Sequence, residues 1–155
     1  MRTILRLLIP ALAALCLCSC GKSFQDIKVT SVDLVSLSPL GLSAVDVEVN
    51  VGVDNPTVQV ALTQLNAVVK MDGTPCLNIT ADDVTLAAKT QDIYPLLLHG
   101  SLAEGFNPFQ LLSLLGTSDF SPLTIDVFFH GALKSGLGKD FEYRDIALKD
   151  LLEKL

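Results

Sequence analysis

The 155-residue chain has no tryptophan, two tyrosines and only two histidines, and charged residues make up 18% of it. So little histidine leaves scant material for imidazole-based metal binding or acid–base work. No G-x-S-x-G, P-loop or H-E-x-x-H occurs, which removes the nucleophile elbow, the phosphate cradle and the zinc-protease helix from consideration. Basic residues are also few, 11 against 17 acidic ones for a net charge of −6, and they do not cluster. Nucleic acid is therefore not an expected partner, since backbone binding needs a concentrated Lys/Arg surface. After the first twenty residues no apolar run approaches the length of a membrane-spanning helix.

What is present begins at the N-terminus. Arg2 and Arg6 precede the apolar run Leu7 to Leu17, which is too short to cross a hydrocarbon core of about 30 Å but has the length of a signal-peptide core. The sequence Leu17-Cys18-Ser19-Cys20-Gly21 resembles a bacterial lipobox. There, a leucine stands three places before the modified cysteine and a small residue directly before it. The resemblance implies cleavage before Cys20, a diacylglyceryl thioether on its sulfur and acylation of the freed amine. Each buried methylene contributes about 0.8 kcal/mol, and two chains give stable anchoring. The expected organisation is a signal peptide at 1–19, a lipidated tether at 20–25 and one domain at 26–155. No cofactor is expected, and the membrane, through the anchor, is the first partner.

Taking 19 from 155 leaves 136 residues, enough for one core. Losing Arg2 and Arg6 moves the net charge from −6 to −8. Of the four cysteines only Cys76 lies in the domain, so no disulfide can form within it and packing must hold the fold.

The organising stretch is Ala44 to Pro56. Val45, Val47, Val49, Val51 and Val53 alternate with Asp46, Glu48, Asn50, Gly52 and Asp54, a period of two that makes a half-buried strand with a valine stripe on the core. Asn55-Pro56 ends it. Upstream, Ile27, Val29, Val32, Leu34, Val35 and Leu37 form an extended segment whose phase slips between Val29 and Val32, through a bulge or a crossing between sheets. Downstream, Val58, Val60 and Leu62 alternate in one phase and Leu65, Ala67, Val69 and Met71 in the other, with a break at Thr63-Gln64. Asp72-Gly73 predicts a tight hairpin into a strand around Cys76 to Thr80. Further strands are predicted at Val84 to Ala88 and Ile93 to Leu102, where Pro95 calls for an edge or a bulge. Later ones fall at Leu123, Ile125, Val127 and Phe129 and, past a glycine-rich hairpin, at Phe141 to Leu148.

One helix interrupts the pattern. Asn107 as cap, Pro108 at the first helical position and Gly116 past the end predict a short helix with Phe109, Leu112 and Leu115 facing an end of the sandwich. The tail Lys149 to Leu155 is either a strand end or a helical turn.

The order of these motifs resembles the late embryogenesis abundant type 2 family, also called the water stress and hypersensitive response (WHy) domain. The likeness runs from about Val32 to Leu148: a strand ending in Asn55-Pro56, one running from Leu65 to Gly73, the Pro-Leu-Leu-Leu strand at Tyr94 to Leu98, and Ile125 to Gly131 followed by Gly-Leu-Gly. It implies an antiparallel β-sandwich of the immunoglobulin/fibronectin III kind with one short helix, a stress-protective or interaction role and no catalysis. This agrees with the mainly β fold that the periodicities predict independently.

His99 and His130 could serve as metal ligands only if two strands brought them together, and no carboxylate or cysteine stands at ligand spacing beside them, so no metal site is expected. Asp82-Asp83 reads as a turn or strand start, because neighbours on a strand face opposite ways. Cys76 lies between Pro75 and Leu77, which give it no activating group, and Ser101 and Ser113 have no base nearby. The chain is thus expected to be a non-enzymatic envelope domain whose candidate partners, besides the membrane, are envelope proteins or lipid. The alternative is a carrier of lipid or another apolar ligand, suggested by Phe106, Phe109, Phe120, Phe128 and Phe129. Gly21 follows Cys20 and no acid precedes Asp26, and the resemblance to lipoprotein signals then implies the outer membrane, facing the periplasm, as the location.

Overall fold

The computed structural model describes residues 26–110, 113 and 119–153. The signal, Cys20 and most of the tether lie outside them, as does much of the predicted helix. Eight strands follow in order: β1 (Lys28–Pro39), β2 (Ala44–Asn55), β3 (Val60–Met71), β4 (Thr74–Ala81), β5 (Val84–Leu86), β6 (Thr90–Leu102), β7 (Leu123–Leu133) and β8 (Gly138–Ala147). A short helix, α1 (Leu148–Glu153), closes the domain, so the tail after β8 turns helical. The hydrogen-bonded order is β1-β2-β6-β4-β3-β7-β8, with β5 on β3, and every pairing is antiparallel. The fold is mainly β, an antiparallel sandwich as expected, with β4 bridging the β1-β2-β6 layer and the β5-β3-β7-β8 layer.

The alternation read from the sequence sets which faces meet. Val47, Val49, Val51 and Val53 of β2 join Val60, Ala67 and Val69 of β3 and Leu123, Ile125, Val127 and Phe129 of β7 in one buried cluster. Each strand turns one face inward, so a single core forms between the layers. Phe129 stacks on Phe141 with ring centroids 4.8 Å apart.

The phase slips are bulges. The β1–β2 register shifts between Val29 and Ser31 and again between Leu34 and Ser36. At the first shift, Thr30 and Ser31 fold over Gly52: a Cβ there would lie 2.6 Å from Thr30 Oγ1 and closer still to Ser31 Oγ. A side chain at 52 would have to displace these two hydroxyls. Thr63-Gln64 is likewise a bulge within β3, where the β7 register shifts between Thr63 and Asn66 and Gln64 takes φ 54°. The Asp72-Gly73 hairpin has φ 51° and 82°, the type I′ signature, whose twist matches that of its flanking strands.

Pro95 is accommodated as its chemistry demands. Opposite β2, β6 is paired from Thr90 to Ser101, but β4 covers it only from Leu98 onward. Pro95 therefore sits where β6 has a neighbour on one side, and no ladder bond is lost on the other.

Three expectations change. The strand predicted at Val84 to Ala88 stops at Leu86, as Lys89 enters the left-handed region at φ 50°. Val58, read as part of an alternating strand, precedes β3 and is half exposed, because its carbonyl is taken by a side chain described below. Phe109 does not face the sandwich. Residues 108–110 and 113 are helical and Asn107 Oδ1 accepts from Phe109 N at 2.9 Å, as a cap should, yet Phe109 is 70% exposed. Phe106 and Phe120, on either side of the segment, are the ones packed on the core.

Candidate functional site

A buried and fully bonded polar side chain lies at the end of β2. Asn55 is 1% exposed and uses its whole hydrogen-bonding capacity. Its Nδ2 donates to Val58 O and to Ala87 O, both at 2.9 Å. Its Oδ1 accepts from Thr57 N at 3.0 Å and Thr57 Oγ1 at 2.7 Å. One amide thus holds the turn after β2 and the turn before β6, and Lys89 N donating to Thr57 O at 3.0 Å joins the same two turns directly. Pro56, which has no N–H, leaves no orphan donor at this crowded point. Asn55-Pro56, expected only to end a strand, is thus a joint between two turns. The available signal was Thr57, a hydroxyl-bearing residue two places on, where an Asx-type turn finds its partners.

The histidines are not brought together. His99 lies on β6 and His130 on β7, strands that are separated in the sheet by β4 and β3. Each instead meets carboxylates. His99 Nδ1 lies 2.8 Å from Asp46 Oδ1 across the β2–β6 ladder, and Nε2 lies 3.6 Å from Asp82 Oδ1. His130 Nδ1 lies 2.6 Å from Asp140 Oδ1. Among the described residues no group of three or more His, Cys, Asp and Glu is placed to hold a metal ion. Asp82 and Asp83 occupy the turn between β4 and β5 and diverge: the Asp82 carboxylate reaches His99, while Asp83 Oδ1 accepts from Gln64 N at 3.3 Å.

The hydrogen bond to Asp46, helped by the charges of Asp46 and Asp82 and opposed by partial burial, holds the His99 pKa above its ordinary value. A histidine with a raised folded pKa contributes stability that is complete below its unfolded value of about 6.5. That contribution is lost as pH rises through the folded value. His99→Gln is therefore expected to lower the urea midpoint at pH 5.5 and to match the parent at high pH, checked by melts across that range. A gap that does not narrow with rising pH rules out the charged pair.

A second polar cluster was not legible in the sequence. Lys70 reaches Asp126 Oδ2 at 3.1 Å and Asp145, and Asp145 N donates to Asp126 Oδ1 at 2.8 Å. Burial pushes the Asp126 carboxyl up, but the bond from Asp145 N and the Lys70 ammonium outweigh it and leave its pKa below the ordinary value. Asp145 takes φ 53°, beside a register shift between Ile125 and Val127. The cluster fastens that bulge.

Cys76 is fully buried and its Sγ donates to Val69 O at 3.1 Å. Burial pushes the thiol up to about 11, so it is a protonated core residue and an unfit nucleophile. Ser101 is exposed on β6 and Ser113 lies in the helical segment. The phenylalanines do not line one pocket: Phe129 is in the core, Phe128 points to the opposite face of β7, and Phe109 is exposed.

No family model matches the chain and no curated protein matches it in sequence. Among solved structures, a crystal structure of a protein from Archaeoglobus fulgidus is similar at 14% identity and a TM-score of 0.45, over 75% of this chain and 96% of that one. The solution structure of AT1g01470 from Arabidopsis thaliana is similar at 15% identity and a TM-score of 0.38, over 83% of this chain and 93% of that one. The yeast GGA1 GAE domain follows at 9% identity and 0.30, over 76% and 95%. Likenesses of this degree say nothing about activity.

Proposed function

We propose that the chain is a non-enzymatic, lipid-anchored domain of the cell envelope, a stress-protective or interaction module of the late embryogenesis abundant type 2 kind. The observation that carries this reading is the Asn55 node. The Asn-Pro that the motif order singles out is a saturated structural joint, with Thr57 completing it, and the Lys70, His99 and His130 ion pairs brace neighbouring strands. A domain whose buried polar groups hold turns and bulges is suited to binding and shielding. The lipobox ending at Cys20 supplies the address: the outer membrane, with the domain in the periplasm on a tether too short for distant partners.

Cys20→Ala is expected to leave an unprocessed precursor or to release the protein from membranes, read by fractionation and intact mass. A variant that is still processed and membrane-bound overturns the anchor. Protease added to intact cells is expected to leave the domain whole until the outer membrane is permeabilised, and degradation before that step places it on the cell surface.

A further inference from the structure

The register places one set of turns at the end of the sandwich where the chain enters. Lys28 lies opposite Asp54, Asn55 opposite Thr90, and Val60 opposite both Leu86 and Leu133. The first residues of β1, the turn at 56–59, the turn at 87–89 and the turn at 134–137 therefore share this end, and the Asn55 amide ties two of them together. Two apolar side chains project from these turns with nothing to cover them: Val58 is 50% exposed and Leu137 71%. The only charges on the three turns are basic, Lys89 and Lys134. Nearby acids sit behind the tips: Asp54 opposite Lys28, Asp140 against His130 and Asp92 opposite Val53. Asp26 precedes β1.

The far end also exposes apolar side chains, Leu40, Leu42 and Phe109, but its charges have the opposite sign. Its turns and α1 carry Asp72, Glu104, Asp119, Asp150 and Glu153 against Lys149, so acids predominate at the end away from the entry point. Ile27, buried just before β1, is seven residues from Cys20, a span of at most about 25 Å when fully extended. The entry end is thus the one held beside any membrane that Cys20 occupies.

We propose that this end is a bilayer-contacting face. Leu137 and Val58 enter the head-group boundary, and Lys89 and Lys134 meet lipid phosphates. Apolar tips flanked by lysines suit that boundary, where shallow burial of apolar surface and attraction to anionic lipid act together. The face rests on the anchor reading for its proximity to lipid, and it sets the orientation: acidic end outward, anchored end down.

The test uses the full chain in cells that process lipoproteins. Leu137 and, in a second strain, Leu42 at the far end are replaced by photoactivatable benzoylphenylalanine, and the adducts are identified after irradiation. Phospholipid adducts are expected about tenfold more often at 137 than at 42, and Lys89→Glu with Lys134→Glu is expected to reduce those at 137. Equal yields at the two positions, or protein adducts in place of lipid at 137, overturn the face. The mass of Cys20 in the same samples reports the anchor separately. Acylated Cys20 without lipid at 137 removes the face and keeps the anchor, whereas lipid at 137 on a chain with unmodified Cys20 removes the anchor and keeps the face.

Discussion

Val49→Asp is expected to abolish or nearly abolish folding. Val49 has no exposed surface and stands mid-strand in β2, opposite Leu34 on β1 and Leu96 on β6. An aspartate there either buries an unpaired carboxylate or takes up a proton and still lacks hydrogen-bond partners, and it forfeits the valine packing as well. The expected cost is about 4–6 kcal/mol, comparable to the whole stability of a typical domain, about 5–15 kcal/mol. Glu48→Lys, one residue away on the other face, touches only a 3.3 Å bond from Ser36 Oγ and should shift the urea midpoint little. Equal midpoints for Val49→Asp and the parent would mean that the wrong face of β2 has been placed inside.

Asn55→Asp is the second large effect, and its sign separates a joint from a simple strand end. Aspartate is as good a turn residue as asparagine, so a mere terminator would tolerate it. In the node, the atom replacing Nδ2 is an oxygen aimed at Val58 O and Ala87 O, two acceptors that lose their donor and face repulsion instead. The expected cost is about 2–4 kcal/mol, and Asn55→Asp should be no more stable than Asn55→Ala. Denaturant melts of the three proteins decide it. If the aspartate variant matches the parent, the two donor bonds contribute nothing.

Most of the sheet could be read from residues alone, because half-burial writes itself into a period of two. The valines of β2, the Leu-Ile-Val-Phe face of β7 and both phase breaks fell where the structure puts them. What could not be read has a common physical cause. Val58 looked like the start of a strand because apolar residues at 58, 60 and 62 alternate, but a side-chain amide at 55 captures its carbonyl, and competition between a side chain and the ladder leaves no periodic trace. Hydrophobicity alone turns Phe109 inward, yet a capped first turn fixes direction by its own geometry, and Phe106 and Phe120 are the aromatics packed on the core. The Lys70, Asp126 and Asp145 cluster joins β3 to the distant β7–β8 hairpin, with Lys70 and Asp145 75 residues apart, so only the register reveals it. Of the site residues, Asn55-Pro56 was legible as a motif, but its role was not, since Ala87 lies 32 residues downstream.

The place of β6 between β2 and β4 has a consequence for how the domain comes into being. Leaving the ribosome or a translocation pore N-terminus first, β1 and β2 can pair at once, and so can β3 and β4 across their two-residue turn. The two hairpins nevertheless share no ladder until Thr90 to Leu102 arrives and zips onto both. Local pairings close in microseconds, and searches between distant segments are slower. Through that interval the valine stripe of β2 is bare and adhesive, so the nascent chain has reason to need a holding partner until residue 102 has emerged.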